Sequence, residues 1–260
     1  MTLGSRYLAH VGFVTTPKYF DDSPMEFLKV APERAGILQR VLHLPGYTYD
    51  LKQRAEAMDE LEASALALAE SHCDVVVQVG TNWVHAAGTD PDEIETFIDR
   101  VSDTIGVPFV MAGMAIVRAL RAIGAETITV ANSYYRPDWM AGINRFFEQA
   151  GFEILWSGNL LDQGIYATFD ELLEVEAATL WNYPPDIVRR SLLEAHAAAP
   201  QADALVQTGK GFTTVALLDE VEQWTGTTVV ASDAATYWEA LRHLNLAARQ
   251  GFGSLLDGLR

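Results

Sequence analysis

One cysteine, Cys73, stands in 260 residues, so no internal disulfide can form. Its solitude points to the reducing cytoplasm as the expected compartment. No apolar run reaches the ~18 residues of a membrane helix, and the N-terminus lacks the basic-then-apolar pattern of a secretion signal. Basic residues are scarce, 18 against 35 acidic ones, and the net charge of −17 argues against nucleic acid or an anionic membrane as a partner. The acidity by itself names no substrate, because an acidic surface is usually a solubility device. The six histidines, His10, His43, His72, His85, His196 and His243, include no pair at metal-ligand spacing, so no metal site is expected. No phosphate loop and no Gly-x-Gly-x-x-Gly opens a helix, so no cofactor is expected either.

What is present is a long alternation of strand and helix patterns. "AHVGFVTT" (9–16) reads as a strand stopped by Pro17. A segment punctuated by Pro24, Pro32 and Pro45 follows, with a short strand expected within 42–51. Residues 53–72 carry apolar positions at helical spacing without Gly or Pro, which predicts one helix. "DVVVQV" is a buried parallel strand by composition. Asp90 and Pro91 then open a helix as cap and first residue. "VPFVMAG" reads as a strand, and "MAIVRALRAIG" as a helix closed by Gly124. The second half repeats the order, from "ETITVANS" through "DWMAGINRFFEQAG", "FEILWSGNL", "PDIVRRSLLEAHAAA", "DALVQT", "TTVALLDEVEQWTG" and "TVVASD" to a last helix within 234–251.

Two stretches in these halves are nearly the same. "DVVVQVGTN" (74–82) and "DALVQTGKG" (203–211) both read Asp, apolar residues, Gln, one residue, Gly. "GVPFVMAGMA" (106–115) likewise matches "GTTVVASDAA" (226–235). Duplication of an α/β unit accounts for both. The expected fold is two similar Rossmann-like halves, each a parallel sheet flanked by helices, related by a pseudo-twofold axis with the site between them. The halves are expected at 1–123 and 124–230, with 231–260 a C-terminal helix returning to the first half. In open parallel sheets, loops at the carboxyl ends of strands line the ligand crevice. The two Gln-x-Gly loops are therefore the candidate site.

These features resemble the aspartate/glutamate racemase superfamily, in particular the branch of arylmalonate decarboxylase and maleate cis-trans isomerase. The likeness covers about residues 7–244. It rests on the order of "VGFVTTP", "VGTNWV", "VANSYY", "ALVQTGKGF" and "VVASDAATYWEAL". The resemblance implies a site for a small carboxylate, with Tyr134 falling on a carboxylate-binding tyrosine, and a fold that commonly associates into homo-oligomers. Family members place one or two reactive cysteines on the two loops. Here both matching positions are glycine, Gly80 and Gly209, so two-cysteine racemisation and thiolate addition are unsupported.

The remaining loop chemistry is rich in donors. Thr16, Thr81, Asn82, Tyr134 and Thr208, with the backbone of Gly80, Gly209 and Gly211, suit one carboxylate. Each Thr or Asn can equally be a helix cap. Lys210 follows the second glycine directly. It can be an acid, a base or Schiff-base amine of lowered pKa, a fixed charge, or a surface lysine. Asp233 ends another strand, as a base, a partner of Lys210 or a cap. His85 is a general acid or base, or structural. The leading expectation is decarboxylase, lyase or isomerase-type chemistry beside a carboxylate. The alternatives are a hydrolase or hydratase using activated water, and a binding protein that has lost catalysis.

Overall fold

The computed structural model describes residues 6–133 and 136–259. Its strands form two parallel four-stranded sheets. The first contains β1 (Ala9–Thr15), β2 (Ala35–Val41), β3 (Val75–Gln78) and β4 (Phe109–Met111) in the order β2-β1-β3-β4. The second contains β5 (Thr127–Asn132), β6 (Glu153–Asn159), β7 (Ala204–Thr208) and β8 (Thr228–Ala231) in the order β6-β5-β7-β8. The two orders are the same when counted from the start of each half. The sequence repeat is thus a repeat of topology.

β3 and β7 sit inside their sheets and are buried at every residue. That is why they read as unbroken apolar runs rather than alternating ones. Helices cover both sheets: α1 (Ser23–Val30), α2 (Leu51–Glu56), α3 (Met58–Glu70), α4 (Pro91–Ile105) and α5 (Ala112–Ile123) in the first half, then α6 (Pro137–Gln149), α7 (Phe169–Thr179), α8 (Pro185–Ala198), α9 (Leu218–Thr225), α10 (Ser232–His243) and α11 (Ser254–Asp257). The Asp90 carboxylate accepts from the Asp92 N–H and caps α4, which ends on left-handed Gly106.

β4 runs into α5 without a loop, and β8 runs into α10 the same way. These two helices pack against each other, α10 reaching β3 and β4 while α5 reaches β7 and β8. Side chains of both sheets and of this helix pair belong to one buried apolar cluster. Arg118 of α5 and the buried Glu239 of α10 add an ion pair across the seam. No helix among the described residues is long and apolar enough to cross a membrane.

Four expectations change. The short strand expected in 42–51 lies earlier, as β2, whose outer residues are exposed. An edge strand needs only one covered flank, so its Gln39 and Arg40 carry no apolar signal. The single helix over 53–72 is two helices separated at Ala57. α3 turns Leu61, Ala65 and Leu68 inward, whereas α2 buries Arg54, so the two segments serve different faces. α7 was not foreseen, although Thr168 accepts from the Glu171 N–H as its cap. The last long helix stops at His243 instead of continuing towards residue 251, and Asn245 follows with φ 53°.

Candidate active site

The two Gln-x-Gly loops leave β3 and β7 at their carboxyl ends, and each glutamine holds its own loop. Gln78 Nε2 donates to the carbonyls of Val79 and Gly80, the latter at 3.0 Å. Gln207 Nε2 donates to the carbonyls of Thr208 at 2.6 Å and Gly209 at 2.9 Å. Both glutamines are buried, so no bulk water competes. The glycines have φ of 98° at Gly80 and 88° at Gly209, a left-handed backbone that other residues enter only with strain. The loops are also joined, because the Gly209 N–H donates to Thr81 Oγ1 at 3.1 Å. The repeat therefore encodes a pair of rigid turns stitched back to back. Gln207→Leu leaves the buried Gly209 carbonyl without its donor, while the Thr208 carbonyl still accepts from the Ser133 N–H and hydroxyl, at an expected cost of about 1–3 kcal/mol. Urea unfolding measures it. A loss under about 0.5 kcal/mol would mean that the turn keeps its shape without the glutamine.

Lys210 follows the second turn and is buried. Its Nζ donates to Asp22 Oδ1 at 2.5 Å and lies 3.5 Å from Thr213 Oγ1. Burial pushes the pKa of the ammonium down, but Asp21, Asp22 and Asp233 outweigh it, and the net shift is upward. Lys210 is thus a lasting positive charge at neutral pH. The expectation of a lowered-pKa amine fails because three acids surround it. The Asp21 carboxyl is itself pushed up, by burial first, against the opposing pull of Lys210 and the Ser23 N–H.

A cavity opens beside this cation. Its wall takes Thr16 from the end of β1, Gly80, Asn82 and Trp83 from the first loop, and Lys210 and Gly211 from the second. The rest of the wall includes Arg54 of α2, Trp139 of α6, Glu176 of α7, and Trp181 and Tyr183 of the segment after α7. Gly211 is small for a reason: a Cβ there would sit 2.9 Å from the Trp181 carbonyl. The Trp181 ring lies 4.6 Å from Tyr49 and 6.4 Å from Trp139, centroid to centroid. Tyr19 OH donates to Asn182 Oδ1 at 2.9 Å, tying the loop after β1 to the same segment. Burial, aided by Asp21 and Asp22, pushes the Tyr19 phenol far up, so it stays a neutral donor.

Five of the residues expected at the site share this wall: Thr16, Gly80, Asn82, Lys210 and Gly211. Thr81 and Gly209 lie behind it, bonded to each other. Thr208 is buried and donates to Asn132 Oδ1 at 2.5 Å. Asp233 accepts from the N–H of Thr214 at 2.7 Å and from its hydroxyl at 2.5 Å. It anchors the second loop and is not on the cavity wall, so its surroundings do not provide for a base at the ligand. His85 ends a 3₁₀ turn (Thr81–His85) and is also off the wall, packed so closely on Gly142 of α6 that a Cβ there would lie 2.4 Å from Nδ1. Burial and the charge of Arg54 lower its pKa to about 4, so the ring is uncharged at neutral pH. Tyr134 lies outside the described residues. Cys73 is buried at the start of β3, away from the loops, and burial with Asp74 pushes its thiol up to about 11. Among the described residues no cluster of His, Cys, Asp and Glu fits a metal ion.

Sequence reasoning missed Asp21, Asp22, Tyr19, Arg54, Trp139, Glu176, Trp181 and Tyr183. Only "FDDSP", two acids before a Ser-Pro helix start, carried a local signal.

A family model described as arylmalonate decarboxylase matches residues 39–256. Arylmalonate decarboxylase of Bordetella bronchiseptica is 27% identical over 157 residues, and the match spans 60% of this chain and 60% of that relative. The structure of unliganded arylmalonate decarboxylase superposes with a TM-score of 0.76 at 21% identity, covering 96% of this chain and 99% of that one. Maleate isomerase Iso from Pseudomonas putida S16 gives 0.75 at 19% identity, with 97% and 99% covered. A Nocardia farcinica maleate cis-trans isomerase mutant with a covalently bound succinylcysteine intermediate gives 0.75 at 20% identity, with 96% and 98% covered. The structural likenesses carry the fold, and the family model carries the membership: this chain belongs to the arylmalonate decarboxylase family.

Proposed function

We propose that this chain is an enzyme that decarboxylates a small carboxylate, at the carbon next to a second carboxylate, without a thiol. The observation that carries the reading is the Lys210 ammonium, buried, held charged by three acids and set on the wall of an aromatic-lined cavity. Family membership supports the reaction class. Decarboxylation needs an electron sink and a proton donor. It needs no strong base, and a permanently protonated lysine suits that demand.

The retained carboxylate sits against Lys210 and the glycine loops. The C–C bond to the other carboxylate breaks, CO₂ leaves, and the electron pair stays on the α-carbon, shared with the retained carboxylate as an enediolate. Lys210 stabilises that growing charge in a site of low polarity. Its Nζ–H then protonates the α-carbon, and the amine recovers a proton from solvent. Trp83, Trp139 and Trp181 keep water from the departing carboxylate, which favours its loss.

The test is CO₂ release from a panel of substituted malonates in D₂O. The expected result is one deuterium on the α-carbon of the product for each CO₂ formed. Binding of malonates with no CO₂ released from any would sink the reading. Isomerase-type chemistry is the second reading, favoured by Glu176, a buried carboxylate on the same wall that can accept an α-proton. It predicts solvent deuterium entering recovered substrate without CO₂.

A further inference from the structure

The cavity has a neighbour. A cleft of about 180 Å³ lies at the surface beside it, with the exposed residues Lys18, Phe20, Ala177 and Leu180 in its wall. The two spaces share three wall residues, Tyr19, Glu176 and Trp181. These three form a partition, with the inner cavity on one side and the outer cleft on the other. The inner space is about 50 Å³, room for about four waters. Even an unsubstituted malonate has more non-hydrogen atoms than that, so part of the wall has to yield before such a ligand is seated.

Which part yields follows from how each is held. The glycine loops are buried and bonded to each other. α6 buries Trp139, Ile143, Phe146 and Phe147. α7 buries a single apolar side chain, Leu172, besides Glu176, and most of its other residues are exposed. One leucine is a small anchor for a helix of this length, so local opening of α7 costs far less than unfolding. Its flanks are firmer. Tyr166 and Tyr183 are buried, and their N–H groups donate to the carbonyls of Leu160 at 3.3 Å and Gly211 at 3.1 Å. Just before the second of these, Leu180 and Trp181 hold a left-handed backbone that costs non-glycine residues energy, and movement of the segment releases it. The bond from Tyr19 OH to Asn182 Oδ1 ties the segment to the loop after β1.

We propose that residues 167–182 are a gate. The segment swings between Tyr166 and Tyr183, parts Trp181 from Tyr19 and joins the outer cleft to the cavity. A ligand enters by that route and is sealed from water when the Tyr19 bond re-forms. The inference rests on the cavity being the ligand site, and not on which reaction Lys210 performs there.

Hydrogen exchange read by mass spectrometry follows the opening in the wild-type protein. Peptides within 170–182 are expected to exchange at least about a hundredfold faster than those of α6 and α8. Tyr19→Phe keeps the ring and removes the latch. It should speed exchange in 170–182 about fivefold and leave α6 and α8 unchanged. Entry is read by a thiol placed inside, with Asn82→Cys on the buried cavity wall, or Thr16→Cys on the same wall if the first variant does not fold. The reagent is methyl methanethiosulfonate, and the protein without the new thiol gives the background from Cys73. Adding Tyr19→Phe should speed labelling by the same factor as exchange. If 170–182 exchanges as slowly as α8, there is no gate. If it exchanges quickly but labelling ignores Tyr19→Phe, the segment moves without being the way in, and the proposal is overturned. If both respond while no malonate loses CO₂, the gate stands and the proposed reaction alone falls.

Discussion

Lys210→Met is expected to lower kcat by about 10³, since on the proposed mechanism it removes both the charge that stabilises the enediolate and the proton that ends the reaction. The same substitution should destabilise the fold. It leaves Asp22 without the ammonium 2.5 Å away and removes the cation whose charge opposes that of Asp22 at the buried Asp21. Removing one partner of a fully buried pair costs about 3–5 kcal/mol, and the cost here is smaller because Asp22 is partly exposed. The two losses can be separated. Lys210→Met with Asp22→Asn removes the orphaned charge, and it should recover most of the stability while recovering none of the turnover. Asp22→Asn alone leaves Lys210 in place with Asp21 and Asp233 nearby, so about a tenfold loss in kcat/KM is expected from its looser position. The cycle is read by urea unfolding and by CO₂ release on the same four proteins. Lys210→Met turning over within threefold of wild type would end the case for lysine as acid and charge sink.

The parts legible in the sequence were those written locally. "VVVQ" and "ALVQT" read as buried parallel strands because a strand covered on both faces is a run of consecutive apolar residues, with polar ones only at its carboxyl end. The Gln-x-Gly repeat gave the pairing of the halves, and Lys210 was visible as the residue after a strand-end glycine. The function of the glutamines was not visible, since it depends on an amide folding back on the next two carbonyls. The rest of the wall was the least legible. Arg54 sits in a stretch with ordinary helical composition, and only the break at Ala57 turns it towards Trp139. Glu176 and Trp181 belong to α7 and its exit, where Leu180 and Trp181 both take positive φ, of 50° and 64°. No residue near them announces that geometry. Asp233 shows the converse. Its strand-end position suggested a base, yet two bonds to Thr214 occupy it. Position in the topology pointed to the strand ends that border the cavity, and the bonds each side chain already makes separate those on its wall from those behind it.

His85 supplies a prediction on stability rather than on turnover. It is wedged between the first loop and α6, with Gly142 making room for its ring. Its pKa is lowered to about 4 by burial and by the nearby charge of Arg54. An unfolded chain takes up that proton near pH 6.5. Between these values the unfolded state binds a proton that the folded state refuses, so stability falls as the solution is acidified. The contribution is fully present above about pH 6.5 and is lost as pH drops towards 4. Between pH 7 and pH 4.5 that amounts to about 2.5 kcal/mol. His85→Leu should keep the packing against Gly142 and remove this dependence. Carboxylates titrate on acidification as well, but they do so in both proteins and drop out of the comparison. The measured quantity is the change in unfolding free energy between the two pH values, wild type minus variant. A difference near zero would mean that a proton reaches the folded imidazole without opening the loop. A difference of the expected size would make His85 one source of the fold's sensitivity to acid.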